Sequence, residues 1–246
     1  MGWFSSPFFV EINEMKINYV RDLAFSDQYI DAYLVENVKD FIVPDGIVIN
    51  LSNEPIAVGE QIESLVPPWK SVVVFNASIV RAARIAIIKV RSVKNLGGLA
   101  LSDSWEWFGN RLEKFPRNSP LYISKYDSVG TIKINPYTFT KQEKAGSKSE
   151  NYSIRINLWW APAETDCSMH NEHPFLEIHT QIHGCGRIQK FRERDELTKY
   201  EEMVMAAGHT HDPFFVVNDD GEFVYPWHRY YSDSDCIWLA IEFHPI

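Results

Sequence analysis

The sequence predicts an all-β protein, and three observations predict it. Short runs rich in Val, Ile, Tyr and Phe recur along the whole chain, Gly, Pro, Asn and Asp punctuate them, and helical patterns between them are few. A parallel α/β architecture would need a helix in nearly every gap between strands. With 246 residues, 45% of them hydrophobic and 14% aromatic, the chain can bury a sizeable core and is unlike the apolar-poor composition of disordered segments.

In chain order, strands are expected at 31–38, 46–51, 71–75 and 85–93, with Pro44-Asp45-Gly46 and Pro67-Pro68 as turns. Asn95-Leu96-Gly97-Gly98 reads as a boundary. The segment 102–115 is the best helix candidate, with Ser102 or Asp103 as its cap and Trp107, Leu112 and Phe115 along one side. From Tyr122 onward the strand signal strengthens, at 131–134, 153–160, 176–182, 187–191, 202–205, 214–217 and 237–243. The run 141–151 is a polar surface loop. Regularly spaced short strands of this kind build a sandwich or a barrel, and the mouth of a barrel commonly holds a small ligand. The expected division is a β-rich, metal-free segment 1–98, a helical connector 99–121 and a metal-binding β domain 122–246.

The net charge of −9 is uneven. Residues 1–120 carry 12 basic and 14 acidic side chains, whereas 121–246 carry 12 and 19. An acidic half repels phosphate backbones, so nucleic acid is not an expected partner. No run approaches the roughly 18 apolar residues of a membrane span, and no basic region followed by an apolar run opens the chain, so a cytoplasmic protein without a membrane partner is expected. Met1-Gly2-Trp3-Phe4-Ser5-Ser6 fits the loose myristoylation pattern, but a bulky Trp follows the glycine and an ordinary N-terminus is expected. Cys167, Cys185 and Cys236 are odd in number and form no CxxC pair, which points to buried or half-buried thiols rather than a disulfide framework.

All eight histidines lie in the last third of the chain; the first 169 residues contain none. Four of them, His170, His173, His179 and His183, fall within one stretch that also holds Glu172 and Glu177. Histidine is both a metal ligand and a proton shuttle at neutral pH, so this is the chemical half. If Glu177 begins a strand, period-two alternation puts Glu177, His179, Gln181 and His183 on one face and Ile178, Thr180 and Ile182 on the other. The polar face is either a wet outer surface or the lining of a barrel interior.

The spacing around this strand resembles the cupin superfamily. His173-Pro174-Phe175-Leu176-Glu177, followed by Gly184, is similar to the first cupin motif of histidines, a glutamate and a later glycine. Ala206-Ala207-Gly208-His209-Thr210-His211 is similar to the second, Pro-x-Gly-x-x-His, with Ala in place of Pro. The resemblance covers residues 125–246 and implies a cupin-type jelly-roll barrel in the C-terminal half, packed on the β-rich N-terminal domain. It further implies one divalent metal on His173, Glu177 and His211, a two-histidine, one-carboxylate face with open positions suited first to Fe(II) and also acceptable to Mn, Ni or Zn. Two departures stand out. The position two before His173 is Asn171, and His170, one residue further out, needs a bulge or loop to join as a fourth ligand. Phe215 stands where the second motif has Asn. His179, Gln181 and His183 would line the substrate pocket.

The implied function is a metal-dependent enzyme on a small polar molecule, a mononuclear non-haem Fe(II) oxygenase first; a redox-neutral isomerase or decarboxylase and a non-catalytic ligand-binding cupin are the alternatives. A homodimer fits the family's habits. A second alignment is similar to the JmjC branch of the 2-oxoglutarate oxygenases, with His170-Asn171-Glu172 as the dyad, Gln181–Arg187 as the strand and turn after it, and Arg187, Lys190 or Arg229 as the basic residue for the cosubstrate. In the N-terminal half, Pro44-Asp45-Gly46-Ile47-Val48-Ile49 has the outline of the second motif with Ile at the ligand position, as a degenerate, metal-free cupin domain would. His209 flanks the second motif, and His244 sits at a strand end. His228, in the aromatic segment 225–231, either closes the mouth or packs between layers. Of Trp159 and Trp160, one must face each side of their strand.

Overall fold

The computed structural model describes residues 16–59, 64–140 and 148–246. The Met1–Ser6 pattern and most of the 141–151 loop lie outside the described residues.

Five strands form the first sheet: β1 (Tyr19–Asp22), β2 (Ile30–Asn50), β3 (Ile56–Val58), β4 (Ser64–Val66) and β5 (Ser71–Val90), in the antiparallel order β1-β2-β5-β3-β4. The expected turn at Pro44-Asp45-Gly46 is instead a bend inside β2. Asn37 and Asp40 on β2 and Asn76 on β5 adopt positive φ, and Gly46 has φ 146°, so the two long strands curl without breaking. The curl lets Ile47 pair with both Val73 and Ile88, near the two ends of β5, and the sheet rolls on itself around Val35, Val48, Ile79 and Ile85.

The segment expected as a helix at 102–115 is not one. It holds β6 (Trp105–Trp107), flanked by 3-10 turns at Leu96–Leu101 and Phe108–Asn110. Tertiary pairing overrides the local pattern here: β6 bonds to β7 (Tyr122–Ser124), Trp105 is buried, and Pro116 follows closely.

The remaining strands are β8 (Asp127–Ile134), β9 (Glu150–Ala161), β10 (Thr165–Asp166), β11 (Leu176–His183), β12 (Cys185–Phe191), β13 (Lys199–Ala206), β14 (Val216–Val217), β15 (Phe223–Val224), β16 (Trp227–Ser232) and β17 (Cys236–Pro245). They form two larger sheets, one ordered β11-β17-β9 with β7, β6 and β8 beyond, the other β10-β16-β12-β13, and the separate pair β14-β15. Residues 208–211 extend the β11-β17-β9 sheet past β11, since Gly208 N–H donates to Gln181 O (2.8 Å) and Gln181 N–H to His209 O (2.9 Å). The chain therefore alternates between sheets, β9 to β10, β11 to β12, then 208–211 to β16 and β17. That order is a cupin-type jelly roll, and the all-β fold class holds.

The β11-β17-β9 sheet is buried on both faces. Its outer face, with Ile154, Ile156, Leu158, Ile178, Leu239, Ile241 and Phe243, shares one apolar cluster with Leu23, Ile30, Ile49 and Ile88 of the N-terminal half. Each such side chain contributes on the order of 1.5–3 kcal/mol through burial. The inner face packs Trp159, Cys236 and Trp238 against Ile188, Met205 and Tyr230 of the second sheet. Trp159 stacks on Trp238 inside, while Trp160 joins the outer cluster, one on each side of β9 as alternation requires. Cys167 and Cys236 are buried and Cys185 is half-buried; all three are free thiols.

Candidate metal centre

Alternation along β11 turns Ile178 and Ile182 outward into the cluster shared with the N-terminal half, so Glu177, His179 and Gln181 face the jelly-roll interior. The polar face is thus the lining, not a wet surface. Across the sheet, register places Glu242 beside Glu177, Ala240 beside His179 and Trp238 beside Gln181.

Three histidines meet at this lining. His170 lies in the loop after β10 and His228 on β16; each backbone N–H donates to the other's carbonyl, at 3.0 and 2.9 Å. Residues 171–175 form no strand, so His173 also comes back toward the interior, and its Nε2 lies 3.0 Å from His228 Nε2. One ring nitrogen from each of His170, His173 and His228 falls within a 4.8 Å group able to hold a metal ion. Phe214 stacks on the His228 ring at 4.4 Å between centroids, and Tyr225 lies 4.4 Å from the His173 ring.

The tautomers follow from the partners. A carbonyl only accepts, so His170 Nδ1 donates to Ser168 O (3.0 Å) and His228 Nδ1 to Pro226 O (2.8 Å). His173 Nδ1 faces Glu177 Oε1 at 3.3 Å. In each ring Nδ1 is thus fixed by an oxygen and Nε2 is left toward the group, the arrangement that orients metal-binding imidazoles. Burial, and then the neighbouring His170, lower His228 to about 3, and burial lowers His173, so both rings are neutral near pH 7. Two lone pairs 3.0 Å apart repel unless a shared proton or a metal ion lies between them. Metal–nitrogen bonds of about 2.0–2.1 Å, at angles between about 90° and 109°, put two nitrogens about 2.9–3.4 Å apart. The donor set fits one divalent metal.

Burial by itself would raise the Glu177 carboxyl, but the ring nitrogens of His173 and His179, each 3.3 Å from one of its oxygens, favour the carboxylate and lower it, and it is ionised. Its backbone N–H donates to the Tyr225 hydroxyl (3.1 Å), which donates in turn to Phe175 O. Glu242 is pushed the opposite way, to about 8, by burial and then by Glu177. One row thus holds an anionic carboxylate and a protonated one.

The residues named from sequence fall into three places. His170 and His173 are in the histidine group, and Glu177 bonds to it from behind. His211 is set apart: its Nδ1 bonds to Asp212 O and its Nε2 accepts the His179 N–H (3.2 Å), so both ring nitrogens serve the backbone. His179 stands between Glu177 and His211, with Nε2 3.3 Å from Glu177 Oε2. Gln181 lies deeper, accepting from the Tyr230 hydroxyl and donating to His183 O, and His183 is at the far end of β11. Sequence reasoning did not place His228 in this histidine group. The available signal was alternation along Trp227-His228-Arg229-Tyr230, which turns His228 and Tyr230 to one side and Arg229 to the other. Arg229 therefore cannot reach a cosubstrate beside His228.

No protein-family model matches the chain, and no curated protein matches it. Solved structures do. A conserved protein of unknown function from Streptococcus pyogenes is 17% identical over 38% of this chain and 66% of its own, with a TM-score of 0.27. A cupin-superfamily sugar phosphate isomerase from Silicibacter pomeroyi is 14% identical over 47% of this chain and 60% of its own, also at 0.27. A cupin 2 conserved barrel domain protein from Leptotrichia buccalis is 11% identical over 93% of this chain and 91% of its own, at 0.27. The chain spans less than two thirds of the length of the first two. The cupin-type fold stands on the chain's own strand order. Among the described residues no helix is long and apolar enough to cross a membrane.

Proposed function

We propose that the chain is a metal-dependent enzyme acting on a small polar molecule, with the metal held by His170, His173 and His228. The observation that carries this reading is the pair of Nε2 atoms of His173 and His228, 3.0 Å apart in a buried site with both Nδ1 atoms already bonded. Three imidazole donors leave coordination positions open. A metal bound there supplies Lewis acidity or, as Fe(II), dioxygen chemistry. An Fe(II) oxygenase is the first form of the proposal, because three nitrogen donors with open positions suit Fe(II). Glu177 orients His173 and keeps its Nδ1 protonated, and Phe214 and Tyr225 hold the ring planes and exclude water.

A redox-neutral reading has its own support. Ionised Glu177 and protonated Glu242 side by side are a base and an acid in one row, as proton-transfer chemistry requires. The test is metal content of protein purified without chelator or histidine tag, followed by oxygen uptake and anaerobic proton exchange with small hydroxy- and keto-acids. About one metal per chain with substrate-dependent oxygen uptake supports the oxygenase; metal with solvent proton exchange and no oxygen uptake supports the redox-neutral enzyme. A wild type that takes up neither Fe(II) nor Zn(II) leaves a ligand-binding jelly roll.

A further inference from the structure

Arg229 follows His228 on β16 and so faces the opposite side of the sheet. There it borders a cleft of about 450 Å3 with Ser119, Glu164, Asp166, Arg194 and Glu196, within the range of about 300–1,000 Å3 usual for small-molecule sites. The guanidinium is buried, its side chain 10% exposed, yet the carboxylates that cap it are on the surface, Asp166 48% and Glu196 67% exposed. Both accept from the same nitrogen, Nη1, at 2.6 Å, while Nε donates to Gln189 Oε1. Among the described residues none accepts from Nη2. Asp166 is fixed further, because its Oδ1 accepts the Ser168 N–H at 2.8 Å. Glu196 is not: it sits in a one-turn 3-10 segment, Glu196–Thr198, and Arg229 is the partner of its carboxylate.

We propose that this cleft binds a small zwitterion of the free α-amino acid type. Glu196 shows that a carboxylate fits on Arg229 from the cleft side, and a ligand carboxylate displaces it, engaging the guanidinium with Arg194 alongside. Three carboxylates, Glu164, Asp166 and Glu196, line the same cleft against two guanidinium groups, so an anion alone meets excess negative charge. An ammonium group one or two bonds from the ligand carboxylate offsets that charge. The site is separate from the histidine group, which lies on the other face of β16.

The experiment is calorimetric titration of the intact chain with a panel of free L-amino acids, with acetate and methylamine as the half-molecules. Saturable binding of at least one amino acid, with neither half-molecule binding, is expected. Glu196→Gln removes the internal competitor and tightens binding several-fold; Arg194→Gln loosens it about tenfold, the loss of one charge-assisted contact. Both residues are exposed, so circular dichroism of the variants should match the wild type. Absence of saturable binding in both wild type and Glu196→Gln overturns the proposal. Equal binding of acetate overturns it too, as does amino acid binding unchanged by both substitutions, which is the result chelation at the histidines would give.

Discussion

His173 Nε2 stands 3.0 Å from His228 Nε2, although 55 residues separate the two in sequence. One histidine comes from the irregular loop before β11, the other from β16, and only the jelly-roll crossing brings them together. The first prediction is a contrast between histidines. His228→Ala and His173→Ala should each lose the bound metal, read as metal per chain after desalting. His211→Ala should keep it and instead lower stability by about 2–4 kcal/mol, because a buried ring bonded at both nitrogens is removed. Metal retained in His228→Ala and lost in His211→Ala would restore His173, Glu177 and His211 as the ligand set.

Metal binding should also show as thermal stabilisation. A ligand at 100 times its dissociation constant stabilises the native state by about 2.7 kcal/mol. For a chain of this size that corresponds to a rise in Tm of about 5–10 °C. Differential scanning calorimetry with and without added Fe(II) under argon, or Zn(II) in air, should show the rise in the wild type and not in His228→Ala. An equal rise in both would place the ion elsewhere.

Much of this fold was legible because period-two alternation survives in β9 and β11: the Trp159/Trp160 split and the inward face Glu177-His179-Gln181 follow directly from the pleat. β17 was legible as a strand but not by its face, since residues 237–241 are apolar on both sides and the sheet is covered on both sides. In sequence the long strands β2 and β5 look like pairs of short ones, because Pro44 and Gly46 signal a turn locally while the positive-φ residues Asn37, Asp40 and Asn76 mark bends that only pairing reveals. The site was legible in part. His170 and His173 stand in a motif-like spacing, but the choice between His211 and His228 depends on which ring nitrogens the backbone already uses. Spacing carries no information about that.

Glu242 should make stability fall with rising pH. Its folded-state value, raised to about 8 from 4.5, means that the native state favours the protonated carboxyl. Below pH 4.5 both states are protonated and nothing is lost; as pH rises from 4.5 to 8 the unfolded chain ionises and the native state does not, so the cost grows and then levels off. Glu242→Gln removes this cost, with a gain on the order of 4 kcal/mol at pH 8 and close to none at pH 4.5. Urea unfolding of both proteins at the two pH values checks it, and a gain independent of pH would mean that Glu242 is ionised throughout.

The last prediction concerns the hydroxyl chain that ties the N-terminal half to the strand beside β11. Ser71 Oγ donates to Gly208 O (2.8 Å), so it accepts from Thr210 Oγ1 (2.6 Å), and Thr210 Oγ1 must then accept from Thr180 Oγ1 (2.7 Å). Each hydroxyl has one hydrogen, so the direction of the whole chain is set by its end at Gly208. Thr210→Val leaves the fully buried Thr180 hydroxyl with no acceptor and should cost about 1–3 kcal/mol. Thr180→Val removes a donor but leaves Thr210 bonded to Ser71, and should cost less, about 1 kcal/mol. The double variant leaves no orphaned donor, so its loss should fall below the sum of the two by at least 0.5 kcal/mol, about the smallest coupling expected of contacting groups. A urea double-mutant cycle measures this coupling. Strict additivity would mean that the Thr180 hydroxyl finds another acceptor, and that the direction of the chain is not set from Gly208.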